Sequence, residues 1–439
     1  MNRFFKYSLV IFIVIFLITS LMIFVIAQYN PNAYKPLITQ WVKDKKKRDL
    51  KFEGDIRLTF FPQFGLNIDQ LSLSEYDSHE VFSHIENIQL SLSLWPLLKK
   101  QLVVDKLSIS GLDATLIRFA DGRTNIDDLL ITDDDSPTFE FDIEQLHIEK
   151  AELLFQDDKD LRNHRFSNLT LMADKITSTS LHNLKLYVRG DTKQANSNDL
   201  NQFEVQLDIP AVQFMTNHIA SDKINLIARV THLENSINGA ITLSNITSTN
   251  NHFTSDMMRI ELATENNAQI INLFINSPLS GNIDTQELAL SDLELNLRLF
   301  QPRLPETPIR GDLQGQLHVS NKSTGYLQAN FSGSLEDSLI KAEFSLSDFN
   351  KPALQFSIDI DQFNMKRYLP ASQQEHQPIK HDKDPANRIN ESLDLASLAD
   401  LNTNGTIRIG LFQSNDLTLS DIQFNIQTHN GQLQTSQTH

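Results

Sequence analysis

Four residues in one short stretch carry metal-binding chemistry: His79 and His84 lie beside Glu80 and Glu86, imidazoles and carboxylates of the kind that ligate a divalent cation. Polar and apolar residues alternate there, so the four side chains need not share a face. A solvated pair of histidines is the reading the pattern favours. Asp133, Asp134 and Asp135 form an acidic run, but it lacks the interspersed glycine and later glutamate of an EF-hand. The chain has no glycine-rich phosphate loop, no nucleophile elbow and no HExxH helix. It has no cysteine either, which rules out disulfides and thiolate-bound zinc. A catalytic centre, a cofactor and a metal site are not expected.

The other repeated chemistry is apolar. Ile88, Leu90, Leu92 and Leu94 alternate with polar residues, as do Phe139, Phe141 and Ile143, and again Leu293, Leu295, Leu297 and Leu299. The same period of two recurs at Phe203, Val205, Leu207 and Ile209, at Leu354, Phe356, Ile358 and Ile360, and at Ile422, Phe424 and Ile426. These are half-buried strands of a mainly β, antiparallel fold, apolar on one face. That face needs cover. Two sheets can pack as a β-sandwich, or one long sheet can curl into a trough whose lining meets a greasy ligand. The pattern alone favours the sandwich; the alternating residues named first are the candidate lining of a trough, while Phe60, Phe61, Phe64, Phe139, Phe141 and Phe155 are individually more often core than lining. Asp121-Gly122 and Asn404-Gly405 fall between strand runs, where tight turns belong.

The elements before the strands set the address. Residues 7–27, with Tyr7 and Ala27 at the ends, form an uncharged apolar run long enough for a transmembrane helix of about 20 residues. Arg3 and Lys6 precede it, so the positive-inside rule places the first six residues in the cytoplasm and the body outside. A cleaved signal ending near Val25, Ile26 and Ala27 is the alternative, but its apolar region would exceed the usual ~7–15 residues. Next comes a helix over 32–48, in which Leu37, Ile38, Trp41 and Val42 recur at helical spacing and Lys43, Lys45, Lys46, Lys47 and Arg48 crowd the end. It either lies on lipid headgroups or caps the first strands. Residues 1–52 carry nine Lys/Arg against two Asp/Glu, net +7, which leaves −24 of the total −17 for the remainder. Such an acidic body is unsuited to nucleic acid. Strand regions are expected over 49–135 and 136–370, a polar proline-containing linker over 371–392, and a last strand region over 393–439 that opens with a brief helix near Leu393 to Leu401.

Several stretches resemble the AsmA family. "NPNAYKPLITQWVKDKKKRDLKFEGDIRLTFFPQFGLNIDQLSLS" is similar to that family's opening, and "IENIQLSLSLWPLLKKQLVVDKLSISGLDATLIRFADGRTNIDDLL" to the segment that follows. "DIDQFNMKRYLP", the polar linker and "LNTNGTIRIGLFQSNDLTLSDIQFNI" resemble its carboxy-terminal region. The likeness covers roughly residues 28–130 and 359–433. It implies a bacterial inner-membrane anchor, a periplasmic β-rich body and a role in outer-membrane assembly and lipid homeostasis. Relatives, including TamB-like proteins, are regarded as bridge-like carriers of phospholipid, which favours the trough. A scaffold acting through contacts with outer-membrane assembly components is the other function the resemblance allows. It supplies no catalytic residues, and Asp121 to Asn125 are read as a hairpin turn. The family's final segment runs longer than this one, so the resemblance implies either that region 393–439 is shortened or that a partner completes an open carboxy-terminal sheet edge.

Overall fold

The computed structural model describes residues 30–438 apart from 60–63, 94–102, 131–141, 160–161, 195–199, 233–234, 266–268, 302–307, 369–401, 415–416 and 430–431. The run 7–27, Leu94, Phe139, Phe141, the aspartates 133–135 and the linker with its brief helix lie outside the described residues. Among the described residues no helix is long and apolar enough to cross a membrane. The chain divides into one unit of residues up to 171 with 194–196, and a second of 172–193 with 197–439.

In the first unit, the 3-10 turn Pro31–Tyr34 leads into α1 (Lys35–Lys46), with proline in the first turn. Lys47 stops the helix in a left-handed conformation, its N–H bonded to the Lys43 carbonyl at 3.0 Å. Strands β1 (Leu50–Phe52) and β2 (Ile56–Thr59) both pair with β3 (Phe64–Ser74), which pairs with β4 (Val81–Leu92). Strand β5 (Val103–Arg118) joins β4 antiparallel, and β6 (Asp142–Asp157) joins β5 in parallel. A single turn, α2 (Asp127–Leu130), lies in the connection between β5 and β6. In sequence, β7 (Arg162–Ile176) crosses the boundary between the units.

The second unit runs as a meander: β8 (Ser180–Gln194), β9 (Leu200–Met215), β10 (His218–His232), β11 (Asn235–Thr249), β12 (His252–Glu265), β13 (Ile270–Asn282), β14 (Glu287–Phe300), β15 (Ile309–Ser320), β16 (Tyr326–Leu335), β17 (Ser338–Ser347) and β18 (Ala353–Asn364). Each pairs antiparallel with the next. Strand β19 (Asn402–Ser414) then joins β18 in parallel, and β20 (Leu417–His429) and β21 (Gln432–Thr438) follow antiparallel. The expected sheet was antiparallel throughout. Both exceptions occur where more than a dozen residues separate consecutive strands, enough chain to cross back over the strand length.

The strands are not uniform ribbons. Register shifts by a residue between Ser255 and Met258, between Asn276 and Leu279, and between Leu290 and Leu293. Asn183, Asn245 and Asp292 adopt left-handed backbone conformations at the same band of the sheet. Pro210 and Pro278, which cannot donate to a ladder, also fall there. Buried hydroxyls seal these bulges: Ser255 Oγ donates to the Ser244 carbonyl at 2.8 Å, and Ser277 Oγ to the Ser291 carbonyl at 2.7 Å. A band of bulges bends the strands that carry it.

Full burial is sparse. Met258, Leu290 and Leu293 form a buried cluster, ringed by half-buried Leu243, Ile260, Ile275, Leu279, Leu295, Leu317 and Phe331. Within each unit the described strands join edge to edge in one sheet, so the sandwich alternative does not form.

Candidate functional site

The register aligns like with like. In the first unit Ile56, Ile68, Ile88, Ile109 and Ile148 follow one another across β2 to β6, and Leu58, Leu66, Leu90, Leu107 and Leu146 form the next row. Leu92 sits opposite Phe64 and Val104, and Val104 opposite Ile143. All the described candidates of this unit, Ile88, Leu90, Leu92 and Ile143, therefore lie in adjoining rows on the same side of the pleat.

The second unit carries a longer row. Leu186, Leu207, Leu226, Ile241, Ile260, Ile275, Leu295 and Leu313 face one another from strand to strand; after Gly333 the row continues through Ile340, Ile360, Ile409 and Ile422. Leu297 and Leu299 head two neighbouring rows, with Leu273 and Gly311 beside the first and Ile271 and Ile309 beside the second. Leu293, opposite Gly315, lies on the same side and joins the buried cluster beside the bulge. Most of the long row is only half-buried, and the parallel rows include Ile237 at 48% and Leu262 at 37% exposure. Neighbouring strands set further apolar side chains beside these residues.

One position along, the character inverts. Lys185, Asp208, Asn225, Thr242, Arg259, Asn276, Glu294, Gln314, Ser332, Lys341, Asp359 and Arg408 make a wholly polar row on the reverse side. Cross-strand bonds hold it, among them Thr242 Oγ1 to Asn225 Oδ1 at 2.9 Å and Arg408 to Asp359 at 3.1 Å.

A concavity of about 870 Å³ lies over β14 to β19, lined by Leu290, Leu317, Phe344 and Phe356 together with the polar Gln316, Gln328, Asn330, Glu343 and Asn404. Aromatic rings step across the same strands: Phe331 to Phe344 and Phe344 to Phe356 have centroids 6.5 Å apart. Gly405 is capped by the Phe356 ring, which occupies the place a side chain would take. Sequence reasoning did not single out Phe331 or Phe344. The signal was present in their alternation, but only register reveals that the aromatic positions adjoin.

Arg48 was also missed. Its side chain is 0% exposed and donates to Asp128 through Nε at 2.7 Å and Nη2 at 2.6 Å, to the Ser74 carbonyl through Nη1 at 2.8 Å, and to the Asn125 carbonyl. The Phe82 ring lies 5.0 Å away. Asn125 bonds in turn to Glu75 and to the backbone of Thr115 and Ile117. The end of α1 is thereby clamped to the turn after β5. Residues 121–125 do form a turn, with Gly122 left-handed and the Phe119 N–H bonded to the Arg123 carbonyl at 2.9 Å. The Arg48 hydrogen bonds hold the Asp128 carboxyl below its ordinary range. Exposed His79 contacts Asp49 at 2.6 Å, and the Lys43 and His79 bonds likewise lower the Asp49 carboxyl. His84 is placed on β4 opposite Asp113.

Each unit is thus a mainly β assembly whose described strands carry aligned aliphatic rows on one side, and this defines the class of protein. Within that class the profile of the AsmA family matches residues 1–438, and the chain belongs to this family. It is similar to Protein AsmA of Escherichia coli (strain K12), 24% identical over 167 residues that make up 36% of this chain and 27% of that protein. The aligned part thus spans about a quarter of the length of that relative. No solved structure matches.

Proposed function

We propose that this protein supports outer-membrane assembly and lipid homeostasis by holding phospholipid acyl chains against its apolar sheet face. The single observation behind this reading is the unbroken aliphatic row from Leu186 to Leu313, half-exposed along its length and backed by a wholly polar reverse side. Each methylene that leaves water for such a surface gains about 0.8 kcal/mol. Headgroups stay in water at the rim, and the polar reverse side keeps the sheet soluble. The bulge band bends the strands around that face and supports a groove. Membership of the AsmA family supports the envelope setting: inner membrane, amino terminus cytoplasmic, body periplasmic, and no catalytic step.

Mass spectrometry of lipid extracted from the full chain purified out of membranes tests the reading. Phospholipid at a reproducible ratio to protein is expected. A lipid-free chain that still restores an envelope defect would leave a scaffold acting through protein contacts as the function. A reporter active only in the periplasm, fused after Leu130, checks the topology, and activity in a cytoplasmic reporter would reverse it.

A further inference from the structure

The helix α1 is amphipathic in the inverted sense. Lys35, Thr39, Val42 and Lys46, spaced at one face of the helix, are its half-buried residues. That face grips the body: Lys35 Nζ donates to the Gly54 carbonyl at 2.8 Å and pairs with Asp55 at 3.3 Å, and Lys46 Nζ donates to the Asp128 carbonyl at 3.2 Å. Lys43 adds an ion pair with Asp49 at 2.7 Å. The opposite stripe is Tyr34, Leu37, Ile38 and Trp41, of which Leu37 is 67% and Trp41 60% exposed. A helix that only capped the first strands would turn those residues inward and its lysines outward. Here the reverse holds.

We propose that this stripe lies in the headgroup plane of an anionic membrane, with Leu37, Ile38 and Trp41 toward the acyl chains. Three observations on the chain select this occupant over a protein. Lys45 lies on the stripe side of the helix and Lys47 follows at its end; both are exposed, and no described acidic side chain pairs with either, so they complement lipid phosphates. Trp41 combines a large apolar body with a polar N–H, as interfacial anchors do. The uncharged run 7–27 ends only seven residues before Lys35, a stretch that reaches at most roughly 25 Å. The inference rests on reading that run as the membrane anchor, since a spanning anchor confines α1 to the neighbourhood of the headgroups. Through the Arg48 clamp and the lysine contacts, a seated helix would fix β1 to β3 relative to the bilayer.

Because the chain lacks cysteine, single labels can be placed at will. The full chain carrying Leu37→Cys, or Asp113→Cys at the exposed position of β5 as the water-facing control, is labelled with an environment-sensitive fluorophore. Each is reconstituted in vesicles of phosphatidylcholine and phosphatidylglycerol with or without brominated acyl chains. Flotation with the vesicles, a blue shift at position 37, its loss of intensity to bromolipid and no such loss at position 113 are expected. Lys45→Glu with Lys47→Glu should reduce the quenching at position 37 without reducing flotation. A chain that floats while position 37 stays unquenched overturns the helix seat and leaves the anchor standing. A position-37 label that is shielded from water yet insensitive to bromolipid assigns the stripe to a protein and also overturns it. A chain that does not float overturns anchor and seat together.

Discussion

A fully buried guanidinium is stable only when its donors are met, and Arg48 meets them with the Asp128 carboxylate, two backbone carbonyls and an aromatic face, with the Glu75 carboxylate a further 3.7 Å ion pair. Arg48→Ala would leave Asp128 and two carbonyls without their donor. Because Asp128 keeps some contact with water, the expected loss is about 2–4 kcal/mol rather than the full cost of an orphaned charge. Arg48→Lys should recover little, since an ammonium cannot reproduce the two-pronged contact. Thermal melting of the three proteins checks both. The acid dependence has a definite sign. Asp128 holds its charge to lower pH folded than unfolded, so its contribution is complete above the ordinary carboxylate range and disappears as pH falls through the lowered value. Asp128→Asn should therefore be less stable near neutrality and should flatten the acid limb in melts taken from about pH 7 to about pH 3. None of this was legible from spacing. Arg48 and Asp128 stand eighty positions apart, and an arginine ahead of a strand carries no local sign of burial.

At the scale of elements, alternation exposes its own limits. Period two marked the strands and correctly grouped Leu295, Leu297 and Leu299, because one polar residue between apolar ones is what a one-sided sheet demands. Leu293 shares their side of the strand, opposite Gly315, and is buried there; what alternation hid is the bulge at Ser291 and Asp292, which brings Leu290 onto the same side to join it. The parallel joins of β6 to β5 and β19 to β18 were equally hidden, for a long connector does not state the direction of the strand that follows it. Neighbouring leucines should thus respond differently to the same change. Leu293→Asp places a charge at a site only 4% exposed, at a cost of several kcal/mol, and should unfold the second unit. Leu295→Asp, half-buried on the open face, should leave it folded. Circular dichroism melts separate the two, and equal collapse of both would mean that the face is covered. Ser277→Ala removes the donor to the Pro278 and Ser291 carbonyls and should cost about 1–2 kcal/mol without unfolding.

At the scale of the molecule, what matters is whether the rows act as a path or as separate patches. Each unit carries its own rows, and in the second the sequence of aliphatic partners continues from β8 to β15 without a polar substitution. A path fails when interrupted anywhere; patches fail only locally. Ile260→Asp with Leu295→Asp sets two carboxylates in the middle of the row, on strands flanking β13, where each reaches water from a half-buried position. Arg259→Asp, one residue away on the polar side, adds a similar charge without touching the row. If the face conducts acyl chains, the double variant should stay folded and keep lipid bound elsewhere on the sheet, yet lose most transfer of labelled phospholipid between donor and acceptor vesicles. The Arg259→Asp protein should transfer at the native rate. Undiminished transfer by the double variant would show that lipid does not run along this row, because a desolvated carboxylate costs several kcal/mol, more than the ~0.8 kcal/mol each methylene gains by passing.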